Sequence, residues 1–421
     1  MATNKLGGYA GKILRVDLTS GRIDTDVLDE PTLRRWVGGT GIGAKYLYDL
    51  VAPGVEWNDP RNMLSIASGP LGGTRLGGTG TISVVTKGPL TNTATSTQAN
   101  GFMGAFMKFA GFDGVVMTGA SEKWVYVYMH DGEAELRDAS HLVGKDTWEM
   151  QEAIAAELGK KEADISVMGV GPAGEHLVRF AAVAGDHGHV AGHNGSGAAM
   201  GAKKVKAIVA TRSSAKRPHV HDAARLAVLN DEIAETIKND PSLRTFEWGT
   251  SMGIAGAAKG GWLPIKNYTT SIFKSAGPFM GECYRAQWEI KRSPCWACPT
   301  KHLHMIKVTD GPYAGYVGEE PEYEQWAAWG PQIGNTDVAA AFVLSNEVDR
   351  LGVDTNEAGW VIGFVMECYD KGVLTKADCD GLEMTWGNAE AARAMLRKIA
   401  NREGIGDLLA EGVKRAAEKI G

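Results

Sequence analysis

Cys295, Trp296, Ala297, Cys298 and Pro299 place two thiols three positions apart with a proline directly behind them. Such a pair puts two thiolates on one tight loop, within reach of a single metal centre. Pro299 keeps a helix from running through the loop. Iron–sulfur clusters are held by runs of this kind, with Cys-Pro a frequent companion. A four-iron cluster takes about four ligands, so the pair is half a site. His302 and His304 follow closely, and imidazole replaces thiolate at iron in Rieske-type centres. Three other readings stay open: zinc held by Cys295, Cys298, His302 and His304, a thioredoxin-like redox pair, and no metal. The zinc spacing is compressed beside that of a finger, which separates its pairs by about a dozen residues. No βαβ pattern precedes the pair, as a thioredoxin-like site would need. Cys283, Cys368 and Cys379 read as buried thiols rather than ligands.

A second candidate is Asp349, Gly352 and Asp354, which fall between two helical patterns. Gly352 suits a left-handed helix end, and Asp354 suits the N-cap of the next helix. That structural role needs nothing more. The chemical alternative is that two carboxylates at one helix junction accept hydrogen bonds from a ring carrying several N–H groups, as a pterin does. Such charge-assisted bonds are strong and directional.

Two glycine-dense stretches could bring backbone amides close to a phosphate. They are Gly72–Thr81, which contains Arg75, and His187–Gly201, which contains Ala191. Neither matches a Walker loop or a dinucleotide fingerprint, and either can be a plain turn. The second also carries His187, His189 and His193, side chains able to donate protons near neutrality.

Before about Thr211, short apolar runs end at glycine turns: Lys12–Leu18, Met63–Ala67, Thr81–Thr86, Gly114–Thr118, Trp124–Tyr128, Ile165–Met168 and Val205–Ala210. This predicts an α+β N-terminal domain, residues 1–211, rich in antiparallel sheet, with helices such as Thr147–Leu158 interspersed. From Asp222 the spacing becomes helical, over Ala223–Lys238, Asp337–Leu351, Thr355–Asp370, Asn388–Ala400 and Gly406–Ile420. Residues 212–421 are therefore expected to form a mostly α-helical domain carrying the cysteine loop and the aspartate junction. The polar stretch Thr211–Pro218 is the expected boundary. No internal repeat is visible.

The chain has 421 residues, enough for two or three domains, and 44% of them are apolar. A net charge of −6 argues against nucleic acid as a partner. The start lacks the apolar stretch of a signal peptide, and no apolar run approaches a membrane span. A soluble cytoplasmic protein is expected, and five cysteines do not make a disulfide framework.

In their order, these pieces resemble the aldehyde:ferredoxin oxidoreductase family of tungsten enzymes, from Gly8 to Gly421. The carrying segments are Gly11–Leu18, Ala67–Leu71, Val84–Leu90, Lys108–Asp113, Asp138–His141, Gly171–Glu175, Cys295–Pro299, Glu322–Glu324 and Asp349–Asp354. The resemblance implies a sheet domain that supports a tungsten-bis-pterin cofactor, molybdenum being the alternative metal, with helical domains over it. It implies a 4Fe-4S cluster at Cys295 and Cys298, a pterin at Asp349, Gly352 and Asp354, and Glu324 near the active centre. It also implies Mg2+ between the pterin phosphates, with Ala191 among the cofactor-binding positions.

Four positions depart from the family pattern. The third cluster cysteine falls at His302. The basic residue facing pterin phosphate falls at Thr81, with Arg75 nearby. The asparagine helping to hold magnesium falls at Gln98, and a second carboxylate falls at Val343. The family continues beyond this chain with a fourth cluster cysteine and a second pterin motif, so the chain is expected to be a fragment, half of a split enzyme or a truncated paralogue.

Cys298–Ile306 looks like the branch that includes the tungsten subunit of class II benzoyl-CoA reductases. That likeness implies low-potential reduction of an aromatic or unsaturated acyl-CoA, with His189 and His193 as proton donors. Aldehyde oxidation with ferredoxin as acceptor, and a non-catalytic partner role, are the alternatives. The expected partners are ferredoxin or an iron–sulfur electron-transfer subunit and an acyl-CoA or other small-molecule substrate, in an oligomer.

Overall fold

Successive side chains of a strand point to opposite faces, and the first strand, β1 (Lys12–Asp17), uses both to build core. Ile13 packs with Leu33, Ile42, Tyr46 and Met63. Leu14 and Val16 join a separate cluster with Ile66, Phe106 and Val115. The computed structural model that shows this describes residues 6–212, 217–241 and 245–421. The chain divides into two units, Met1–Glu235 with Cys295–Pro299, and Thr236–Pro294 with Thr300–Gly421. Residues 213–216, within the expected boundary stretch, lie outside the described residues.

The first unit holds two six-stranded sheets. One runs β2 (Arg22–Val27), β1, β6 (Gly114–Thr118), β3 (Leu64–Ser68), β4 (Ile82–Lys87), β5 (Ala94–Ala99). The other runs β11 (His189–Ala191), β10 (Val183–Gly185), β9 (Ile165–Gly169), β12 (Val205–Thr211), β7 (Val125–His130), β8 (Glu133–Asp138). Each contains one parallel pair, β1 with β6 and β7 with β12, and the remaining pairs are antiparallel. Read from its other edge, the second sheet has the order β8-β7-β12-β9-β10-β11. That is the order of the first sheet with every strand number raised by six. The helices repeat too. Met103–Ala110 lies between β5 and β6, and Ser196–Ala202 between β11 and β12. Gly39–Leu50 precedes β3, and Thr147–Glu157 precedes β9. The unit is thus a tandem duplication in topology, although no repeat is legible in its residues.

The two sheets share one interior. The Leu14 cluster takes Val127 and Met129 from β7, Met168 from β9, Val183 from β10 and Ile208 from β12. The helix Met103–Ala110 is buried along its whole length within it. Lys108 of this helix is buried, donates to the Gly8 carbonyl at 3.0 Å and pairs with Asp113. Asp113 in turn accepts from the backbone amides of Ala10 and Gly11, tying β1 to the segment that enters β6. The opposite face of the second sheet is covered by Thr147–Glu157 through Met150 and Ile154. That helix begins at a capping box made by Asp146 and Glu149.

The second unit is mostly helical, as expected. Its longest helices, Val338–Leu351 and Thr355–Asp370, are joined by Gly352 at φ +71° and by Asp354 as N-cap. Tyr323–Trp329 packs beside them, with Trp326 and Trp329 fully buried. A small antiparallel sheet, β13 (Glu289–Arg292), β14 (His304–Lys307) and β15 (Val317–Glu319), completes it. The helix expected over Gly406–Ile420 is two, Ile405–Leu409 and Val413–Ile420. Gly412 separates them at φ +92°, a conformation a helix cannot contain.

Candidate functional site

The cysteine loop belongs to the first unit and is held there by the residue between its thiols. Trp296 donates from Nε1 to the Thr74 carbonyl at 2.8 Å. Its amide donates to the Gly101 carbonyl at 3.1 Å. Its ring stands edge-on to Phe109 at 5.2 Å and to Phe106 at 6.3 Å. The loop closes with the Cys298 amide donating to the Cys295 carbonyl at 3.1 Å, and Ala297 takes φ +53°. This contact explains the first glycine stretch. A Cβ at Gly77 would stand 2.6 Å from Pro299, and one at Gly80 would meet the Gly101 carbonyl oxygen at 2.0 Å and Trp296 at 2.9 Å. Those glycines make a seat for the cysteine loop.

The second glycine stretch reaches the same place. His189, on β11, brings Nε2 to 3.7 Å from the Cys295 thiol. Gly101, at φ +106°, leaves room for the His189 ring, which a Cβ there would meet at 2.5 Å. Beside it lies the buried carboxylate of Asp186, which accepts from Ser166 Oγ at 2.8 Å, from the Phe102 amide at 3.0 Å and from the Val167 amide at 3.2 Å. Burial raises the Asp186 pKa and these donors oppose the rise. His193 is exposed, with φ +62°, and Ala191 has its side chain in the shared interior. His187 lies edge-on to Trp148 and within 3.2 Å of Glu162.

Cys295 and Cys298 are half-buried, whereas Cys368 and Cys379 are buried. Burial pushes the Cys379 thiol up to about 11 and raises that of Cys368. Cys283 is half-buried rather than buried as the sequence suggested. Among the described residues, no group of three or more His, Cys, Asp or Glu side chains is placed to hold a metal ion. The two thiols are thus a pair on one turn rather than part of a larger group of candidate ligands. Two half-buried thiols on one turn fit a thiolate-bound cluster.

Three further candidates of the first unit lie near its surface. Arg75 is exposed in the first glycine stretch. Thr81 is half-buried and donates to Asn100 Oδ1 at 2.9 Å. Gln98 is exposed on β5, opposite Ser83 of β4.

In the second unit, Asp349 and Asp354 are both buried, at 5% and 4% exposure. Asp354 accepts from the Glu357 amide at 2.9 Å, the N-cap bond expected of it. Asp349 accepts from Gln325 Nε2 at 2.7 Å. Burial raises the Asp349 pKa well above the usual range; Gln325 opposes this and the charge of Asp354 adds to it. A carboxylate in this state gains most from a ligand that supplies N–H donors, which fits a pterin. Glu324 is exposed in the first turn of Tyr323–Trp329, and Val343 is buried. His302 has Nδ1 3.3 Å from Thr300 Oγ1 and Nε2 3.7 Å from Glu322.

The sequence gives no hint of a buried polar hub centred on Glu320. That carboxylate accepts from Tyr284 at 2.7 Å, from Arg285 Nε at 2.6 Å and Nη2 at 2.8 Å, and from His304 Nδ1 at 2.8 Å. Arg285 Nη2 also donates to the His302 carbonyl at 3.0 Å. Burial, then the Glu320 charge, raise the Tyr284 pKa. The hub fixes His304, the first residue of β14, and holds the His302 carbonyl just before it. Its members come from three separate stretches of chain, and a Glu319–Glu320 doublet before a proline carries no local signal.

A seated thiol pair with a histidine beside one thiol, and a pair of buried carboxylates, are residue sets that redox cofactors can use. Residues 13–212 match the aldehyde ferredoxin oxidoreductase N-terminal domain, and residues 228–421 match domains 2 & 3 of the same family. The chain belongs to the aldehyde ferredoxin oxidoreductase family. It is 36% identical over 417 residues to the tungsten-containing aldehyde ferredoxin oxidoreductase of Pyrococcus furiosus, covering 98% of this chain and 68% of that one. It is 34% identical over 429 residues to the aliphatic sulfonate oxidoreductase, WOR-like subunit, of the same organism, covering 98% of this chain and 67% of that one. Among solved structures it superposes with a TM-score of 0.84 and 28% identity on a chain of the active-site complex BamBC of benzoyl coenzyme A reductase in complex with 1,5-dienoyl-CoA. That match covers 99% of this chain and 64% of the other. Among the described residues no helix is long and apolar enough to cross a membrane.

Proposed function

We propose that this chain is the tungsten-pterin and iron–sulfur subunit of an oxidoreductase that reduces an aromatic or unsaturated acyl-CoA, such as benzoyl-CoA, at low potential. The observation that carries the reading is the likeness, over 99% of this chain, to a chain of a complex solved with a dienoyl-CoA. Two features of the chain's own residues support it. Histidine at 302 and valine at 343 replace the cysteine and the carboxylate that the family pattern implies for aldehyde chemistry. His189, 3.7 Å from Cys295, would deliver a proton beside the cysteine loop.

The tungsten pterin would supply the electron-transfer chemistry, with the protein orienting it and excluding water. Cys295, Cys298 and His302 would ligate a 4Fe-4S cluster. Asp349, Gly352 and Asp354 would receive the N–H edge of a pterin. Thr81 and Gln98 would face the cofactor's phosphates and their magnesium ion, and Ala191, whose side chain is in the apolar interior, would contribute through its backbone. His189, His193 and Glu324 would move protons. Adding two electrons and two protons to benzoyl-CoA gives a cyclic dienoyl-CoA, and a ferredoxin or an iron–sulfur subunit would deliver the electrons. The domains would be the 1–211 cofactor base and the 212–421 helical part.

The alternative reading is aldehyde oxidation to the acid, with ferredoxin as acceptor. The higher identity to the aldehyde enzyme, 36% against 28% for the reductase chain, favours it. Purified holoprotein, with any subunit that accompanies it, decides between the two. Dye-linked oxidation of 1,5-dienoyl-CoA is the expected activity. Robust aldehyde oxidation without turnover of the dienoyl-CoA would overturn the proposal.

A further inference from the structure

The first glycine stretch has two sides. One seats the cysteine loop through Thr74, Gly77 and Gly80. The other forms a wall of a cleft of about 430 Å³, closed opposite by the first turns of the helix Ala223–Asn239. This volume is in the range of small-molecule sites. Arg75 and Arg217 line it, together with apolar residues that include Pro218 and Leu226 and with the polar residues Asn230 and Asp231. The Arg217 guanidinium lies over the Phe109 ring at 5.9 Å, which holds its stem against the fold.

Two guanidiniums against one carboxylate make the lining net positive, on a chain whose formal net charge is −6. Local charge of the opposite sign to the molecule marks a selective site rather than a general polyelectrolyte face. Arginine forks match phosphate oxygens two at a time. The apolar wall beside them offers a flat base a surface on which to lie, and Asn230 offers one donor and one acceptor for its edge. A ligand with phosphates at one end and an aromatic base beside them fits this lining.

We propose that the cleft receives the phosphorylated nucleotide end of a coenzyme A thioester, with Arg75 and Arg217 on its phosphates. The proposal rests on the acyl-CoA reading given above and adds a place for the part of the substrate that does not react. Holding that end against a wall shared with the cysteine loop anchors the substrate to the same rigid unit that carries the thiols. Remote binding of this kind is what orients the reacting end. Arg75 then serves the substrate rather than a pterin phosphate.

The test is calorimetric titration of the purified holoprotein with coenzyme A, at two salt concentrations, for the parent and for Arg217→Gln, Arg217→Lys and Arg75→Gln. Both arginines are exposed, so the variants are expected to fold normally, and unchanged thermal melting checks this. Expected are a loss of affinity of about tenfold for each glutamine variant, a weaker salt dependence, partial rescue by lysine, and unaltered tungsten and pterin content. If the parent binds coenzyme A and both glutamine variants bind it equally well, the cleft is not the site. If the glutamine variants lose pterin while keeping coenzyme A affinity, the cleft belongs to a pterin phosphate and the proposal is overturned. If the parent does not bind coenzyme A at all, the acyl-CoA function falls and takes the proposal with it.

Discussion

Replacing Glu320 by alanine removes the acceptor from a hub that is closed to water. Glu320 is 5% exposed, and the Arg285 side chain 7%. The carboxylate accepts four hydrogen bonds, two of them from the Arg285 guanidinium. Truncating one partner of a buried pair leaves the other charge uncompensated and costs about 3–5 kcal/mol. Two features moderate this. Arg285 keeps the carbonyls of Glu247 and His302, and Tyr284 keeps Ser251 Oγ at 3.0 Å. The expected loss is therefore about 3 kcal/mol, at the low end. Urea unfolding of Glu320→Ala, Arg285→Ala and the double variant measures it. The double variant should lose less than the sum of the two singles by at least about 1.5 kcal/mol, because the second truncation removes the charge that the first stranded. A single-variant loss below about 1 kcal/mol, or strict additivity, would refute the reasoning.

Cys298→Ala should abolish the brown iron–sulfur absorption and lower the iron content while leaving the fold intact, and an unchanged spectrum would mean that the loop does not hold the cluster. Gly80→Ala should unseat the cysteine loop, because its new methyl would meet the Gly101 carbonyl oxygen at 2.0 Å. A stability loss of about 1–3 kcal/mol with reduced iron content is expected, read by thermal melting and metal analysis. Asp349→Asn should stabilise the cofactor-free chain at neutral pH and lower its pterin content. The folded pKa of Asp349 is raised by burial, so the folded chain binds more protons than the unfolded one above the ordinary carboxyl value of about 3.9. Its contribution to stability is then greatest at low pH and falls as pH rises towards the folded value. Denaturation of parent and variant at pH 4 and pH 7 checks the sign, and an advantage for asparagine that does not grow with pH would contradict it.

What could be read from the residues alone was what local chemistry decides. The helix Thr355–Asp370 has its N-cap aspartate and its apolar spacing in one continuous stretch, and it forms with the expected bounds. Gly114–Thr118 is an unbroken apolar strand and also forms as expected. β2 and β8 were not legible. Their residues, Arg-Ile-Asp-Thr-Asp-Val and Glu-Ala-Glu-Leu-Arg-Asp, lie at sheet edges, where one partner strand suffices and little needs burying. The thiol pair was visible because its two members are neighbours in the chain. The seat beneath it was not, since Gly80 becomes necessary only once Trp296 is brought against it from more than two hundred residues away. The Glu320 hub was hidden for the same reason.

The repeated six-strand order has a consequence for any attempt to dissect the protein. Two copies of one topology usually suggest two modules that could be cut apart, shuffled or expressed separately. Here neither copy owns its interior. Leu14, Ile66 and Val115 of the first find their apolar neighbours in the same cluster as Val127, Met168 and Ile208 of the second. A break in the chain between β6 and β7 would leave two sheets, each with a bare oily face and no partner in the same polypeptide. Whatever produced the duplication, the halves are now obligate to one another, and they have to fold as a single cooperative body.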